Sequence, residues 1–371
     1  MNSTGRAAPT AYGTGFVALD VVLDLKAGTE VRFGGGTCGN VLTILAFLGW
    51  RATPIARLSS DSAGVLVRED LKRWGVDLGQ IGLEPVAPTP VVIEEIYRNR
   101  AGLASHRYVW TCPHCGAYLP QFRAVLAKSL EDKVTLKTPH VFFFDRVSRG
   151  AIDLARRFAS EGAVVVFEPS GSSDPRLFKE ALRICHILKY SSQRVRAFAD
   201  LLNSSKAWLE IETLGEEGLR YRTTLPLCTG RGWHAVPAFE VDSVKDAAGS
   251  GDWCTAGILS KLASCGQEGF AVTTSDSLES ALRYGQALSA WNCRFPAPRG
   301  GMYLATRAAM TKAVEKIVSG SDSARSTRPV GPGWRNDEAA AFCPKCAAPK
   351  PRQHAQIMDV FAGVGRHKAD S

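Results

Sequence analysis

The chain lacks any apolar run near the ~20 residues that a membrane-spanning helix needs. Its opening residues, MNSTGRAAPT, lack the apolar core of a secretory signal. The expectation is therefore a cytoplasmic chain with no membrane association and a short flexible lead over residues 1–12. No internal repeat is visible, which excludes solenoids and propellers. Disulfides are not expected in a reducing compartment, although there are ten cysteines.

What is present is a globular composition. Hydrophobic residues make up 45% of 371 residues, enough for one large domain or two ordinary ones. The formal charge of +9 suits anionic ligands such as nucleotides or nucleic acid. Much of the excess is scattered over helix faces, so most of it reads as solvated surface.

Residues 13–25 (GTGFVALDVVLDL) read as an opening strand with Asp20 near its end. A glycine turn follows, then a helix over 40–48. Asp61 caps a second helix that presents Val67, Leu71 and Trp74 on one face and ends at Gly75. Residues 91–97 and 106–110 read as two antiparallel strands. From residue 139 strands alternate with helices: VFFFD at 141–145, a helix over 149–160, AVVVFEPS at 163–170, ICHILK at 184–189, a helix near 192–202, and AWLEIETLG at 207–215. Apolar runs separated by helices indicate a parallel sheet covered on both faces. Helices at about 251–264, 276–291 and 302–318 close the pattern. Residues 319–340 are polar and rich in Ser, Gly and Pro, a linker, and 341–371 form a tail.

Four cysteines form two turns, Cys112-Pro113-His114-Cys115 and Cys343-Pro344-Lys345-Cys346. Each C-P-x-C turn can present two thiolates to one metal, and two turns complete a tetrahedral Cys₄ site. The expectation is one structural Zn²⁺ held by Cys112, Cys115, Cys343 and Cys346, clamping the tail onto the region after the second antiparallel strand. Two unrelated turns or a redox pair are the plainer alternatives, and His114 or His354 could replace a thiolate. The other six cysteines are isolated, mostly in apolar company, and read as core.

The most informative segment is Asp246-Ala247-Ala248-Gly249-Ser250-Gly251-Asp252, which opens an apolar helix. Backbone N–H groups at such a turn can hold an anion, helped by the helix dipole. An aspartate there can take a proton from an alcohol. An anion cradle plus a carboxylate base is what phosphoryl transfer to a hydroxyl requires. The bland alternative is a glycine turn capped by Asp252. A second signature lies upstream, GGGTCGNVLTILAFLG over residues 34–49.

Together the two segments resemble the signatures of the ribokinase-like (PfkB) carbohydrate kinase family. Gly35, Gly36, Asn40, Leu48 and Gly49 match the first; Asp246, Gly249, Gly251, Asp252, Ala256 and Gly257 match the second, with Ala247 and Ser250 departing conservatively. Two weaker likenesses lie at SSDSAGVLVREDLKRWGVD (59–77) and TLGEEG (213–218). The resemblance covers roughly residues 13–318. It implies a three-layer α/β domain with a mostly parallel sheet and a small β-sheet lid (strands about 20–33 and 90–112). It further implies ATP and Mg²⁺ as phosphoryl donor and cofactor, and a small sugar or sugar-like acceptor. Asp20, Gly35, Gly36 and Asn40 would bind the acceptor; Gly215, Gly218 and Asp246 would lie beside the nucleotide. Asp252 would be the base, with Gly249, Ser250 and Gly251 as the anion hole. A homodimer through the lid is a further expectation. Without the resemblance, Asn40 reads as a cap, Asp20 as a strand end, and Gly215 and Gly218 as a plain turn.

One departure matters. The family's Asn-x-x-Glu motif after a Lys-Pro helps to organise magnesium; here the stretch reads Lys189-Tyr190-Ser191-Ser192-Gln193-Arg194. A cation stands where a carboxylate is expected. This opens the alternative of a weakly active or non-catalytic ligand-binding relative, beside that of a nucleoside kinase. A nucleic-acid contact through the cysteine module and its basic residues (Lys345, Lys350, Arg352, Arg366, Lys368) is a third reading, disfavoured because the tail shows no aromatic stacking platform.

Overall fold

The computed structural model describes residues 7–82, 85–98, 100, 104–131, 136–171, 174–321, 331–334 and 342–347. Among the described residues twelve strands form two sheets. In chain order they are β1 (Thr10–Thr14), β2 (Ala18–Asp24), β3 (Thr29–Gly35), β4 (Arg51–Ile55), β5 (Val91–Arg98), β6 (Ala104–Val109), β7 (Val141–Phe144), β8 (Val164–Phe167), β9 (Ile187–Ser191), β10 (Leu209–Thr213), β11 (Leu219–Thr223) and β12 (His234–Val236). The main sheet has the order β12-β11-β10-β9-β8-β7-β1-β4 and is parallel from β10 to β4. Its last two strands, β11 and β12, pair antiparallel. The smaller sheet, β3-β2-β5-β6, joins two hairpins through a parallel β2–β5 pair.

The middle strands read VFFF and VVVF because both faces are covered, and every one of these residues is buried. One face packs against the helices Arg149–Ser160 and Pro175–Ile184, which bury Ile152, Ala155 and Phe158, and Phe178 and Leu182. The other face carries Thr37–Phe47, Ser250–Leu262, Ser275–Asn292 and Arg307–Ser319. Sheet with helices on both sides makes the three layers. Among the described residues no helix is long and apolar enough to cross a membrane.

Three readings are corrected. Residues 13–25 are not one strand: β1 belongs to the main sheet and β2 to the lid. The chain turns at Gly15, with φ of 144°, where a Cβ would lie 1.8 Å from Asp145 Oδ1. The continuous apolar run on both sides hides that break. Residues 10–12, read as flexible lead, lie inside β1. The strand placed at 184–189 starts later, at Ile187, because Ile184 closes the helix Pro175–Ile184. That helix announces itself by Asp174, which accepts from the Arg176 and Leu177 N–H groups, and by Pro175 in the first turn.

Asp61 does cap its helix, accepting from the Gly64 N–H. Of the linker, residues 319–321 and 331–334 are described: Ser319 closes the helix Arg307–Ser319 with Gly320 as its cap, and 331–334 are docked. Trp334 stacks on Tyr303 with centroids 3.9 Å apart, and the Gly333 N–H donates to the Tyr303 carbonyl. Most of the tail, with His354 and the basic residues from Lys350 onward, lies outside the described residues.

Candidate active site and cysteine cluster

Open α/β sheets collect chemistry at the carboxyl ends of their strands. Asp145 follows β7, Glu168 follows β8, Lys189 lies in β9, and the turn bearing Gly215 and Gly218 follows β10. The helix Ser250–Leu262 starts above these ends. Its cap, Gly249, has φ of 71°, and a Cβ there would meet the Pro298 carbonyl at 2.4 Å, so the turn requires glycine. The Ser250 N–H closes the turn onto the Ala247 carbonyl at 3.2 Å. The cradle therefore opens at Gly251 and Asp252, whose N–H groups belong to the first turn of the helix.

Asn40 and Asp252 are 212 positions apart in sequence and meet in space: Asn40 Nδ2 donates to Asp252 Oδ2 at 2.8 Å. Both are buried. Burial, reinforced by the nearby Glu168 charge, pushes the Asp252 carboxyl up to about 8; the Asn40 bond and the Lys189 and Arg194 charges oppose it. An ordinary aspartate would be a weak base; this one is poised near neutral pH. Asp20 lies in the middle of β2, where burial raises it to about 7 although it accepts from the Gly36 N–H at 3.2 Å. A Cβ at Gly35 would lie 1.9 Å from Asp20 Oδ2, so only glycine fits. Asn40 Oδ1 is buried with no partner among the described residues.

Sequence reasoning missed the framework beneath these groups. Lys189 Nζ donates to Glu168 Oε1 at 2.7 Å and to the Gly251 carbonyl at 3.2 Å. Thr255 Oγ1 donates to Glu168 Oε2 at 2.6 Å. A buried lysine and a partly buried glutamate thus hold the Gly249–Gly251 turn from below. The signal was available: Glu168 and Lys189 each sit at the end of an apolar run that reads as a buried parallel strand. A second brace supports the first glycine turn. Asp70 Oδ2 accepts from the Gly34 N–H and from Arg299 Nη2, Tyr303 OH donates to Asp70 Oδ1, and Arg299 Nη2 also donates to the Gly34 carbonyl.

Asp246 is 2% exposed. Its oxygens accept from the Ala248 and Ala297 N–H groups, tying the loop over residues 246–250 to the loop before Arg299. It faces the lid, with His106 Nδ1 3.6 Å away and Glu94 beside it. Burial, together with Asp246 and Asp20, pushes Glu94 well above the usual carboxylate range. Gly215 and Gly218 form the turn between β10 and β11, where the Leu214 N–H donates to the Gly218 carbonyl. Arg194 is exposed on the short helix Ser192–Val195, capped by Ser191, and its charge reaches Asp252. An aromatic group borders the glycine turn: Phe16 lies 6.4 Å from Trp110 and 6.3 Å from Phe122, centroid to centroid. The Arg146 guanidinium lies 5.1 Å above the Phe16 ring.

The four expected cysteines converge. Their sulfurs lie within 4.8 Å of one another. Cys112 and Cys346 are 3.8 Å apart, and Cys115 and Cys343 3.7 Å. A tetrahedron with Zn–S bonds of ~2.3 Å has edges of ~3.8 Å, so the cluster is compatible with zinc. Phe342, buried and beneath the Arg32 guanidinium of β3, seats the tail. His114 is not part of the cluster.

Residues 152–300 match the model of the pfkB family carbohydrate kinases. The chain is 27% identical over 270 residues to the ATP-dependent ribose-1-phosphate kinase of Halopiger xanaduensis, an overlap of 71% of this chain and 81% of that one. Its fold is similar to that of Xylella fastidiosa fructokinase with bound ATP (TM-score 0.63, 19% identity, 83% of this chain and 98% of that one). It is also similar to Salmonella enterica aminoimidazole riboside kinase complexed with aminoimidazole riboside and an ATP analogue (0.60, 20%, 82% and 99%). A Burkholderia thailandensis nucleoside kinase in complex with inosine matches as well (0.60, 16%, 86% and 100%).

Proposed function

We propose, from the match of residues 152–300 to the pfkB family carbohydrate kinases, that this chain transfers the terminal phosphoryl group of ATP to a hydroxyl of a small sugar or sugar phosphate. The observation that carries this reading is the bond between Asn40 and Asp252. It joins the two signature segments at a carboxylate raised to about 8 by burial. Asp252 takes the proton of the acceptor hydroxyl as the phosphoryl group leaves the nucleotide. In a loose transition state proton transfer comes late, so positioning and charge stabilisation do most of the acceleration. The first-turn N–H groups at Gly251 and Asp252, with the helix dipole behind them, hold the transferring group. Asp20, Gly35, Gly36 and Asn40 orient the acceptor, and the turn at Gly215 and Gly218 borders the nucleotide.

Mg²⁺, when bound, neutralises and orients the phosphates. Glu168 lies beside the turn, and both its oxygens already accept from Lys189 and Thr255. That arrangement suits an ion carried in by the nucleotide and reached through water. Arg194 adds positive charge on the same side.

A second reading, a nucleoside acceptor, is favoured by the Phe16–Trp110–Phe122 group beside the glycine turn. Arg146 over Phe16 favours an acceptor carrying phosphate. The deciding experiment is an ADP-release screen of sugars, sugar phosphates (ribose 1-phosphate first) and nucleosides. Turnover of none of them would reject the kinase reading in favour of a ligand-binding relative.

For Cys112, Cys115, Cys343 and Cys346 we propose one structural Zn²⁺ per chain. The sulfur separations support it, and a closed Cys₄ set leaves no open position for catalysis.

A further inference from the structure

We propose that Glu94, His106 and Asp246 form a cation site that joins the lid to the phosphate loop and takes a divalent ion of the Mn²⁺ or Zn²⁺ type. The three residues come from β5, β6 and the phosphate loop, and one ligand atom from each lies within 4.8 Å of the other two. Glu94 is 2% exposed, and its Oε1 has no partner among the described residues. A buried carboxylate oxygen left without a donor is costly, and a cation is one way of satisfying it.

The donor set fits. Two carboxylate oxygens and one imidazole nitrogen suit borderline divalent ions better than Ca²⁺, which takes oxygen ligands. Asp246 is already oriented by the Ala248 and Ala297 N–H groups, as metal-ligating carboxylates are. His106 is 30% exposed, which leaves an approach open. Two of the ligands belong to the lid and the third to the main domain, so an ion here holds the lid down on the phosphate loop. This holds whichever acceptor the enzyme uses.

The test uses nucleotide-free, zinc-loaded, full-length protein titrated with MnCl₂, with free Mn²⁺ read by electron paramagnetic resonance. One bound Mn²⁺ per chain is expected, with a pulsed-resonance coupling to an imidazole nitrogen. His106→Gln should remove that coupling and weaken Mn²⁺ at least ~10-fold, and Glu94→Gln should weaken it similarly. If Glu94→Gln proves unfolded by circular dichroism, His106→Gln at its partly exposed position carries the test alone. Absence of bound Mn²⁺ overturns the site. So does bound Mn²⁺ with no imidazole coupling, or with an affinity that the substitutions leave unchanged; the carboxylates then share a proton instead.

Discussion

Two glutamates face the cleft from opposite sides, and their surroundings differ. Glu168, from the main sheet, has both oxygens occupied by Lys189 and Thr255. Glu94, from the lid, is more deeply buried than the partly buried Glu168, yet leaves Oε1 without a partner among the described residues. The same contrast holds more widely. Around the phosphate turn, Asp246, Thr255 and Lys189 all make direct bonds within the protein. Beside the first glycine turn, Asn40 Oδ1 is buried and has no partner among the described residues. A cradle that must stabilise developing charge works best when it is rigid beforehand. Groups that recognise an acceptor gain specificity when their hydrogen bonds are completed by that acceptor.

The largest expected effect lies on the phosphate side of this comparison. Asp252→Asn is nearly isosteric and keeps the bond partner of Asn40, but it cannot accept the proton. Turnover on the acceptor found by screening should fall ~10²–10⁴-fold, with an unchanged circular dichroism spectrum. A variant with wild-type kcat would mean that Asp252 is not the base. Lys189→Met attacks the same region through stability. It leaves the partly buried Glu168 without its cation, so unfolding in urea should become easier by ~1–3 kcal/mol. A loss below ~1 kcal/mol would show that Glu168 finds other partners, and that the phosphate side is less rigidly built than its bonds suggest.

The lid side should answer to metal. Cys343→Ser should reduce bound zinc from one per chain to near zero under reducing, zinc-replete conditions. It should lower Tm by a few °C, since ~1 kcal/mol corresponds to roughly 2 °C or less in a chain of this size. Unchanged zinc content would reject the Cys₄ assignment.

The comparison also shows what could be read without coordinates. Asn40, Asp252 and the cysteine turns were legible because each sits in a short local pattern whose chemistry depends on neighbours a few residues away. The contacts Glu168–Lys189, Asp70–Arg299 and Glu94–Asp246 were not. Their partners are separated by 21 to 229 residues, and each residue alone is an ordinary charge in or beside a strand, helix or loop. The break at Gly15 was hidden for a related reason. A buried β1 and a buried lid strand give the same apolar run, and only the close approach of Asp145 shows why the chain must turn there.

pH sharpens the contrast further. Asp252 rises to about 8 and Asp20 to about 7, both above their unfolded values of ~4. The folded chain then binds more protons than the unfolded chain between those limits. Stability contributed by the neutral forms is complete below pH ~4 and lost as pH rises through 7 to 8. In the proposed mechanism activity runs the other way, since Asp252 as base must be ionised. kcat/KM should climb with an apparent pKa near 8 in the free enzyme, about tenfold per pH unit below it. A flat profile from pH 6 to 9 would mean that Asp252 is ionised throughout.

The smallest expected effect concerns metal handling at the edge of the phosphate side. Arg194 is exposed, and its charge reaches Asp252 across the mouth of the cleft. It is a solvated cation acting at a distance, so screening limits its influence. Replacing Ser191 with Asn and Arg194 with Glu should therefore not change the chemistry. It should lower the Mg²⁺ concentration at half-maximal activity by a few-fold, roughly 2 to 5, because each ~1 kcal/mol gained near the ion is worth about a factor of five. Activity of both proteins should still vanish in excess chelator, since the cradle alone leaves the nucleotide phosphates under-neutralised. If the double substitution leaves the Mg²⁺ requirement unchanged, this strand end does not face the ion, and the rigid half of the site ends at Lys189.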